Sequence, residues 1–261
     1  ANFMESRNVV YVSHYKGQRQ QPLRNVYIPA PTLARVLRGS KLLLWRGERV
    51  EVTPERWLAL PAGQSLTFVN EPGATGFESV TLSFLVQPPA DWLANVTLTE
   101  KAPCLFSDAS LTFCFDALVN GTEHQLAEVT QQHLAMALLA QLHDTGALSL
   151  LFPANKMTWR DRVSRYLMAE PGAEHSLEKA AQALSVSRAT LHRRLKTEGY
   201  PFRQILADIR MGYSLTVMQK GCTVTEAALA SGYESPARFS ERFKQIFGVT
   251  PTQYRQTIKS F

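Results

Sequence analysis

Ser176-Leu-Glu-Lys-Ala-Ala-Gln-Ala-Leu-Ser-Val-Ser-Arg-Ala-Thr-Leu-His-Arg-Arg-Leu-Lys196 decides the fold, because the chain states this pattern twice. The second copy is Thr223-Val-Thr-Glu-Ala-Ala-Leu-Ala-Ser-Gly-Tyr-Glu-Ser-Pro-Ala-Arg-Phe-Ser-Glu-Arg-Phe-Lys244. Ala181 to Ala228 is a shift of 47 residues; Leu191 to Phe239, Leu195 to Phe243 and Lys196 to Lys244 are each a shift of 48. Each copy reads as a helix-turn-helix: a short helix, a tight turn, and a second helix with apolar residues one turn apart. A tandem repeat sets the two second helices at one fixed separation. B-DNA offers its major groove on one face once per turn, about 34 Å apart. One chain carrying both helices can therefore enter two successive grooves.

The residues around the repeat place the helix ends. Ser176 can cap the first helix, and Glu178 in its first turn suits the positive end of the dipole. Ser185-Val186-Ser187 is the turn, and Ser187 can cap a helix over 188–198. Gly199 ends that helix and Pro201 opens the next. The latter, about 202–219, carries Phe202, Ile205, Leu206, Ile209 and Val217 on one face and is long enough to join the two units. Gly212 inside it costs roughly 1 kcal/mol against alanine, so packing or a bend must explain it. Thr223 with Glu226 forms a capping box. Ser235-Pro236 starts the last recognition helix, Gly248 ends it, and Thr250-Pro251 begins a short final helix.

Helical phase sorts the two recognition helices into faces. Leu191 and Leu195 must face a core, which leaves Arg188, Ala189, His192, Arg193 and Lys196 outside. Phe239 and Phe243 likewise face inward, which leaves Ala237, Arg238, Ser240, Glu241 and Lys244 as candidate DNA contacts. Arginine can bond bidentately to a guanine edge, and a small residue such as Ala189 or Ala237 allows close approach and contact with a thymine methyl. Arg193 is the best candidate for base reading. Lys196, further along the helix, suits a phosphate.

Charge follows the same division. Residues 156–261 hold 17 Lys and Arg against 9 Asp and Glu, while residues 1–155 hold 11 against 13. A basic C-terminal part beside a near-neutral N-terminal part points to a polyanion-binding half and a half with another role. No stretch is apolar for long enough to span a membrane, and no N-terminal pattern suggests a signal peptide. Cys104, Cys114 and Cys222 are an odd number at spacings that fit no metal motif, and each sits among apolar neighbours. They read as small buried hydrophobes, and a reducing cytoplasm is the expected compartment.

Residues 8–86 read as β-rich, with strand-like runs at 9–12, 41–45, 57–60 and 79–84 separated by Gly- and Pro-containing turns. Short strands with frequent turns predict a small barrel or sandwich. Residues 89–147 turn helical, and the clearest helix is about 122–144, with Leu126, Val129, His133, Leu134, Ala137, Leu138 and Leu142 along one face. Gly146 can end it. Phe152-Pro153-Ala154-Asn155 is the candidate linker. The expected class is therefore α+β: an N-terminal small β-barrel with helices over 1–152, then an all-α domain over 153–261 in which a long helix joins two helix-turn-helix units.

The stretch Ser176–Arg255 resembles the DNA-binding domain of the AraC/XylS transcription regulators. The resemblance lies in Ser-Leu-Glu, Ala-x-x-Leu-x-Val-Ser and Leu-His-Arg-Arg-Leu-Lys, then Arg210-Met211 and Ser231-Gly232-Tyr233. It closes with Phe239-Ser-Glu-Arg-Phe-Lys244 and Phe247-Gly-Val-Thr-Pro-Thr-Gln-Tyr-Arg255. The resemblance implies base-facing roles for positions 189, 192, 193, 237, 238 and 241. Two positions depart from the family pattern. Ser214 stands where alanine is usual, and Glu241 stands where arginine is often found. A carboxylate at 241 can accept from cytosine N4, repel phosphate, or pair with Arg238 one turn earlier.

The resemblance also implies a bacterial, cytoplasmic regulator with a cupin-like, effector-sensing N-terminal barrel, a dimerisation helix, and contact with RNA polymerase where the protein activates. Leu134, Leu138 and Leu142 would then be central to a homodimer; the same stripe can instead pack on its own barrel. Metal-binding cupins use a histidine cluster, and the β-rich region holds only His14, so neither a metal nor another cofactor is expected. Trp45, Trp57, Leu60, Phe68, Phe84 and Val86 can line a pocket or form barrel core. A pocket with a basic residue at its edge would suit an apolar carboxylate such as a fatty acid, a ligand class associated with virulence-type members. Two alternatives stand beside the ligand-controlled regulator. One is control by a protein partner. The other is an enzyme, cysteine-dependent or cupin-type, with an appended DNA-binding domain, which would need an activated thiolate.

Overall fold

The computed structural model describes residues 9–93, 102–153 and 157–259. Its strands are β1 (Val10–Gly17), β2 (Gln21–Tyr27), β3 (Thr32–Arg38), β4 (Ser40–Trp45), β5 (Glu48–Val52), β6 (Arg56–Leu60), β7 (Ser65–Glu71), β8 (Phe77–Phe84) and β9 (Cys104–Phe106). They form two antiparallel sheets, ordered β1-β8-β3-β6-β9 and β2-β7-β4-β5. The sheets pack face to face. Ala34, Val36, Leu58, Leu60 and Phe77 of the first meet Leu43, Val50, Val52 and Leu66 of the second. The expected barrel is this pair of sheets.

The first sheet is covered on both faces, so its strands are apolar without alternation. Trp57-Leu58-Ala59-Leu60 shows the rule. Leu58 and Leu60 point between the sheets, while Trp57 and Ala59 point outward into a second layer with Leu33, Val80, Leu82 and Phe84. That layer is covered by α1 (Ala109–Glu123), α2 (Glu128–Asp144) and α3 (Leu148–Leu151).

The single helix expected over 122–144 is two. Gln125 takes a left-handed φ of 52°, and the Leu126 amide bonds back to the Gly121 carbonyl, which ends α1 and lets α2 restart. The expected stripe is only partly the buried one. Ala135, Leu138, Leu139 and Leu142 are buried, whereas Leu126 and Val129 are exposed. Leu138 and Leu142 are 0% exposed within the chain's own core, and Leu134 packs half-buried beside them. They are therefore not an exposed dimer seam, because the barrel already covers them.

The remaining helices are α4 (Trp159–Met168), α5 (Leu177–Ala183), α6 (Arg188–Glu198), α7 (Phe202–Gln219), α8 (Val224–Ala230), α9 (Pro236–Phe247) and α10 (Pro251–Ile258). Each expected cap is present. Ser176, Ser187, Thr223, Ser235 and Thr250 each accept a backbone N–H, and Gly199 and Gly248 close their helices in the left-handed region. Helix α7 runs through two cores. Ile205 and Ile209 pack with Val163, Leu167, Leu191 and Leu195; Met211, Leu215 and Met218 pack with Phe239, Phe243, Phe247 and Tyr254. Of the expected linker, Phe152 is buried against the barrel helices, while Ala154 and Asn155 lie outside the described residues.

The helical part does not hang free of the barrel. Tyr27 of β2 joins the first helical core and Leu23 of β2 the second. Asn25 Nδ2 donates to the Ile246 carbonyl at 3.1 Å, and the Gln18 amide donates to the Thr257 carbonyl at 2.7 Å.

Candidate nucleic-acid interface and junction cavity

The two helix-turn-helix units share one turn geometry. In the first, Ser185 has φ 57° and the Val186 amide bonds to the Ala181 carbonyl; in the second, Gly232 has φ 83° and the Tyr233 amide bonds to the Ala228 carbonyl. A left-handed residue at this point reverses the chain. Serine adopts it at a strain cost of about 1 kcal/mol or more; at 232 a Cβ would also lie 2.8 Å from the Arg210 guanidinium carbon, so a side chain there would displace Arg210. Arg210 donates from Nε to the Pro171 carbonyl and from Nη2 to the Ala173 carbonyl, at 3.1 and 2.8 Å. A Cβ on Gly172, between those acceptors, would collide with the Ala230 carbonyl. The loop before the first unit thus sits directly on the turn of the second. With α7 threading both cores, this contact fixes the two units as one body.

The expected faces are where the phase put them. Arg188, Ala189, His192, Arg193 and Lys196 on α6 are exposed, as are Ala237, Arg238, Glu241 and Lys244 on α9; Ser240 is half-buried. Leu191, Leu195, Phe239 and Phe243 are buried. No ion pair joins Arg238 to Glu241 among the described residues, so the carboxylate is not neutralised from within its own helix. Arg188 does pair with Glu178 of α5 at 2.6 Å, with both side chains largely exposed. Such a surface pair is worth little and yields readily to a phosphate. The one acid of α6, Glu198, is turned away from the exposed basic face. Its two oxygens accept from the Trp159 and Arg160 amides at 2.8 and 2.9 Å, capping α4. The exposed face of α6 is therefore purely cationic and neutral. Ser214 is buried and donates to the Met211 carbonyl at 2.6 Å, so the departure from alanine is absorbed within the helix.

The second feature is one that sequence reading placed only in part. A cavity of about 150 Å³ lies between the sheets, at the end of the barrel that α7 and Tyr254 of α10 close off. Of the six residues expected for a pocket, Leu60 and Phe68 line it. Of the others, Trp57 and Phe84 point to the outer face, under the helices, and Trp45 packs half-buried against the barrel interior away from the cavity.

At its wall is Lys41, which period-two alternation from Leu43 would have turned inward. Its Nζ donates to Asn70 Oδ1 at 2.5 Å and lies 3.4 Å from the centre of the Phe68 ring. No carboxylate pairs with it among the described residues. Burial alone drives its pKa down from 10.5 to about 7. Asn70 in turn donates to Gln21, and Gln21 donates to Thr257 Oγ1 of α10. Tyr27, also on the wall, is pushed up to about 12 by burial, against the Ser164 hydroxyl with which it bonds at 2.9 Å.

Arg160 braces the same junction. Its guanidinium lies between the rings of Tyr27 and Tyr200, at 4.3 and 3.6 Å, and donates to the Gly63 carbonyl. It approaches Asp208 of α7 at 3.9 Å; burial raises the Asp208 pKa despite that charge. Sequence pattern offered no sign of this bridge, because its four partners come from the barrel, the α6–α7 turn and α7.

No group of histidine, cysteine and carboxylate side chains suited to a metal occurs among the described residues. Burial raises the Cys104 thiol pKa and outweighs the neighbouring Arg56, the reverse of an activated nucleophile. No helix among the described residues is long and apolar enough to cross a membrane.

A bipartite helix-turn-helix module locked to a small β-barrel defines a class of DNA-binding regulators, and comparison with known proteins agrees. Residues 180–257 match the family described as a helix-turn-helix domain. The urease operon transcriptional activator of Escherichia coli is 32% identical over 133 residues, 50% of this chain and 45% of that protein. The regulator GadX of the same species is 30% identical over 125 residues, 47% of this chain and 46% of that one. The matched part spans about half the length of these relatives. Over the whole chain the fold is that of ToxT from Vibrio cholerae, with a TM-score of 0.60 at 15% identity, covering 97% of this chain and 99% of that one. One ToxT structure carries a bound unsaturated fatty acid, with a TM-score of 0.56 at 17% identity over 96% of each chain. These likenesses support the resemblance of residues 176–255 to the DNA-binding domain of the AraC/XylS regulators.

Proposed function

We propose that this protein is a sequence-specific transcription regulator that reads two successive major grooves and responds to a small apolar carboxylic acid held at the junction of its two parts. One observation carries the DNA reading: two units of the same turn geometry, made one body by α7 and Arg210, each present an exposed basic helix face. The effector reading rests on the cavity and on Lys41, a buried ammonium with no anionic partner among the described residues. Burying such a group is costly unless a charge meets it. A carboxylate reaching Lys41 would supply that charge, and an apolar body would fill the remaining space. The fatty acid bound by ToxT supports this ligand class. The cavity wall draws on strands of both sheets together with α7 and α10, so occupancy bears directly on how the helical part sits against the barrel. The setting is a bacterial cytoplasm, with RNA polymerase as the partner where the protein activates. Homodimerisation through the α1–α2 region would have to use exposed groups such as Leu126 and Val129, since Leu138 and Leu142 are already enclosed.

The DNA assignment is tested by a base-by-base binding selection on three variants. Arg193→Ala should cost about 1–3 kcal/mol on the preferred site and less on sites altered at one base pair. Lys196→Ala should weaken all sequences alike and lower the salt slope by about one. Glu241→Gln should change the preferred base if Glu241 reads cytosine, and tighten every sequence if it only repels phosphate. A uniform loss for Arg193→Ala, or altered specificity for Lys196→Ala, overturns the roles.

A further inference from the structure

Gly212 has no local explanation. It lies in the middle of α7, where glycine weakens a helix. Its backbone is not in the left-handed region, and a Cβ built on it meets nothing within 4 Å. Gly172 and Gly232 are different, because a Cβ on either would strike a neighbour. Gly212 instead lies on the stripe of α7 that faces the cavity, between Asp208 and Ile209 on one turn and Leu215 and Thr216 on the next. The helix therefore gives up a side chain where one would fit, and the space that results belongs to the cavity.

We infer that Gly212 is a specificity-determining residue of the effector site: its missing side chain is room for the apolar body of the bound acid, which lies across α7 with its carboxylate toward Lys41. The inference rests on reading the cavity as an effector site. The size of the cavity narrows the ligand class. An engineered apolar cavity of about 150 Å³ takes a benzene-sized body, and this one is about 150 Å³. The acid that fits the closed junction is compact, a short-chain or aryl monocarboxylate, and a long acyl chain requires α7 and the barrel to part. A side chain at 212 would shorten the space from the α7 side without touching Lys41 or either recognition helix.

The test uses the full-length protein and isothermal titration with benzoic, octanoic and palmitoleic acids. The wild type should bind a compact acid. Gly212→Ala should bind the same acid about tenfold or more weakly, the discrimination one methyl group gives in an apolar pocket, while melting no lower than the wild type. Gly212→Leu should abolish acid binding and keep DNA binding. Alanine keeps the question answerable if leucine disturbs the packing, since its methyl group meets open space. Retention of the wild-type affinity in Gly212→Ala overturns the inference while leaving the effector reading intact. Failure of the wild type to bind any of the three acids overturns the effector reading itself, and this inference with it.

Discussion

Replacing Lys41 with methionine probes the junction through its electrostatics. The ammonium is buried, faces the rings of Phe68 and Phe77, and has Asn70 as its hydrogen-bond partner. Burial lowers its pKa from 10.5 to about 7. In the unfolded chain the proton stays on up to the ordinary lysine value; in the folded chain it leaves near neutrality. Between those two values the unfolded state binds more protons, so wild-type stability rises with pH across that window. Each pH unit contributes about 1.4 kcal/mol, so the penalty carried at neutral pH and below is on the order of 3–5 kcal/mol. Methionine removes that penalty but leaves the Asn70 oxygen without its donor, at a cost of about 1–3 kcal/mol. Lys41→Met should therefore be more stable than the wild type by about 1–3 kcal/mol at neutral pH, with the advantage shrinking to nothing around pH 9. Urea unfolding of both proteins at several pH values up to about 9.5 measures this. Tyr27 and Tyr254, whose phenols are raised by burial, affect both proteins alike and cancel in the difference. A difference that stays flat with pH would refute the buried, unpaired ammonium. The same variant should still bind DNA and should lose its affinity for carboxylic acids.

Leu138→Asp should not yield a folded monomer. It places a carboxylate in a closed core and should destabilise the protein by on the order of 4 kcal/mol or more, whereas Leu126→Asp should leave the urea midpoint unchanged; a folded Leu138→Asp protein would contradict the packing of α2. Arg160→Met removes the guanidinium held between Tyr27 and Tyr200 and should cost about 1–3 kcal/mol. It should also raise the Asp208 pKa further and speed amide exchange in α4, so unchanged protection over residues 159–168 would show that Arg160 does not brace the junction.

The helix-turn-helix units were legible because everything that defines them is local. Caps at Ser176, Ser187, Thr223 and Ser235, left-handed closures at Gly199 and Gly248, and apolar pairs one turn apart all act within a few residues. A repeat of that local grammar therefore specified two units, a joining helix and two outward faces, and the structure places the ends of α6 and α7 where the caps put them. The β-rich half was legible in kind but not in detail. Runs such as Trp57–Leu60 announce a strand, but in a sheet covered on both faces hydrophobicity no longer tells inside from outside. That is why the pattern left Trp57 and Phe84 open between pocket and core, and why the stripe drawn over 122–144 took in Leu126 and Val129, which are exposed, along with Leu138 and Leu142, which are buried.

What only the tertiary structure decided is what two distant segments do to each other. Gly172 and Gly232 are ordinary loop glycines until Arg210 draws the loop of one unit onto the turn of the other. Lys41 is an ordinary strand lysine until Phe68, Phe77 and the far wall of the barrel remove its water. Gly212 is a flaw in a helix until the barrel beneath it leaves a cavity there. The sequence alone determined the two helix-turn-helix units and their exposed faces, since hydrogen bonds and sterics within a few residues are enough to make a capped helix. The junction that would govern them arises from burial, which depends on every segment packed around a group and is written in no one of them.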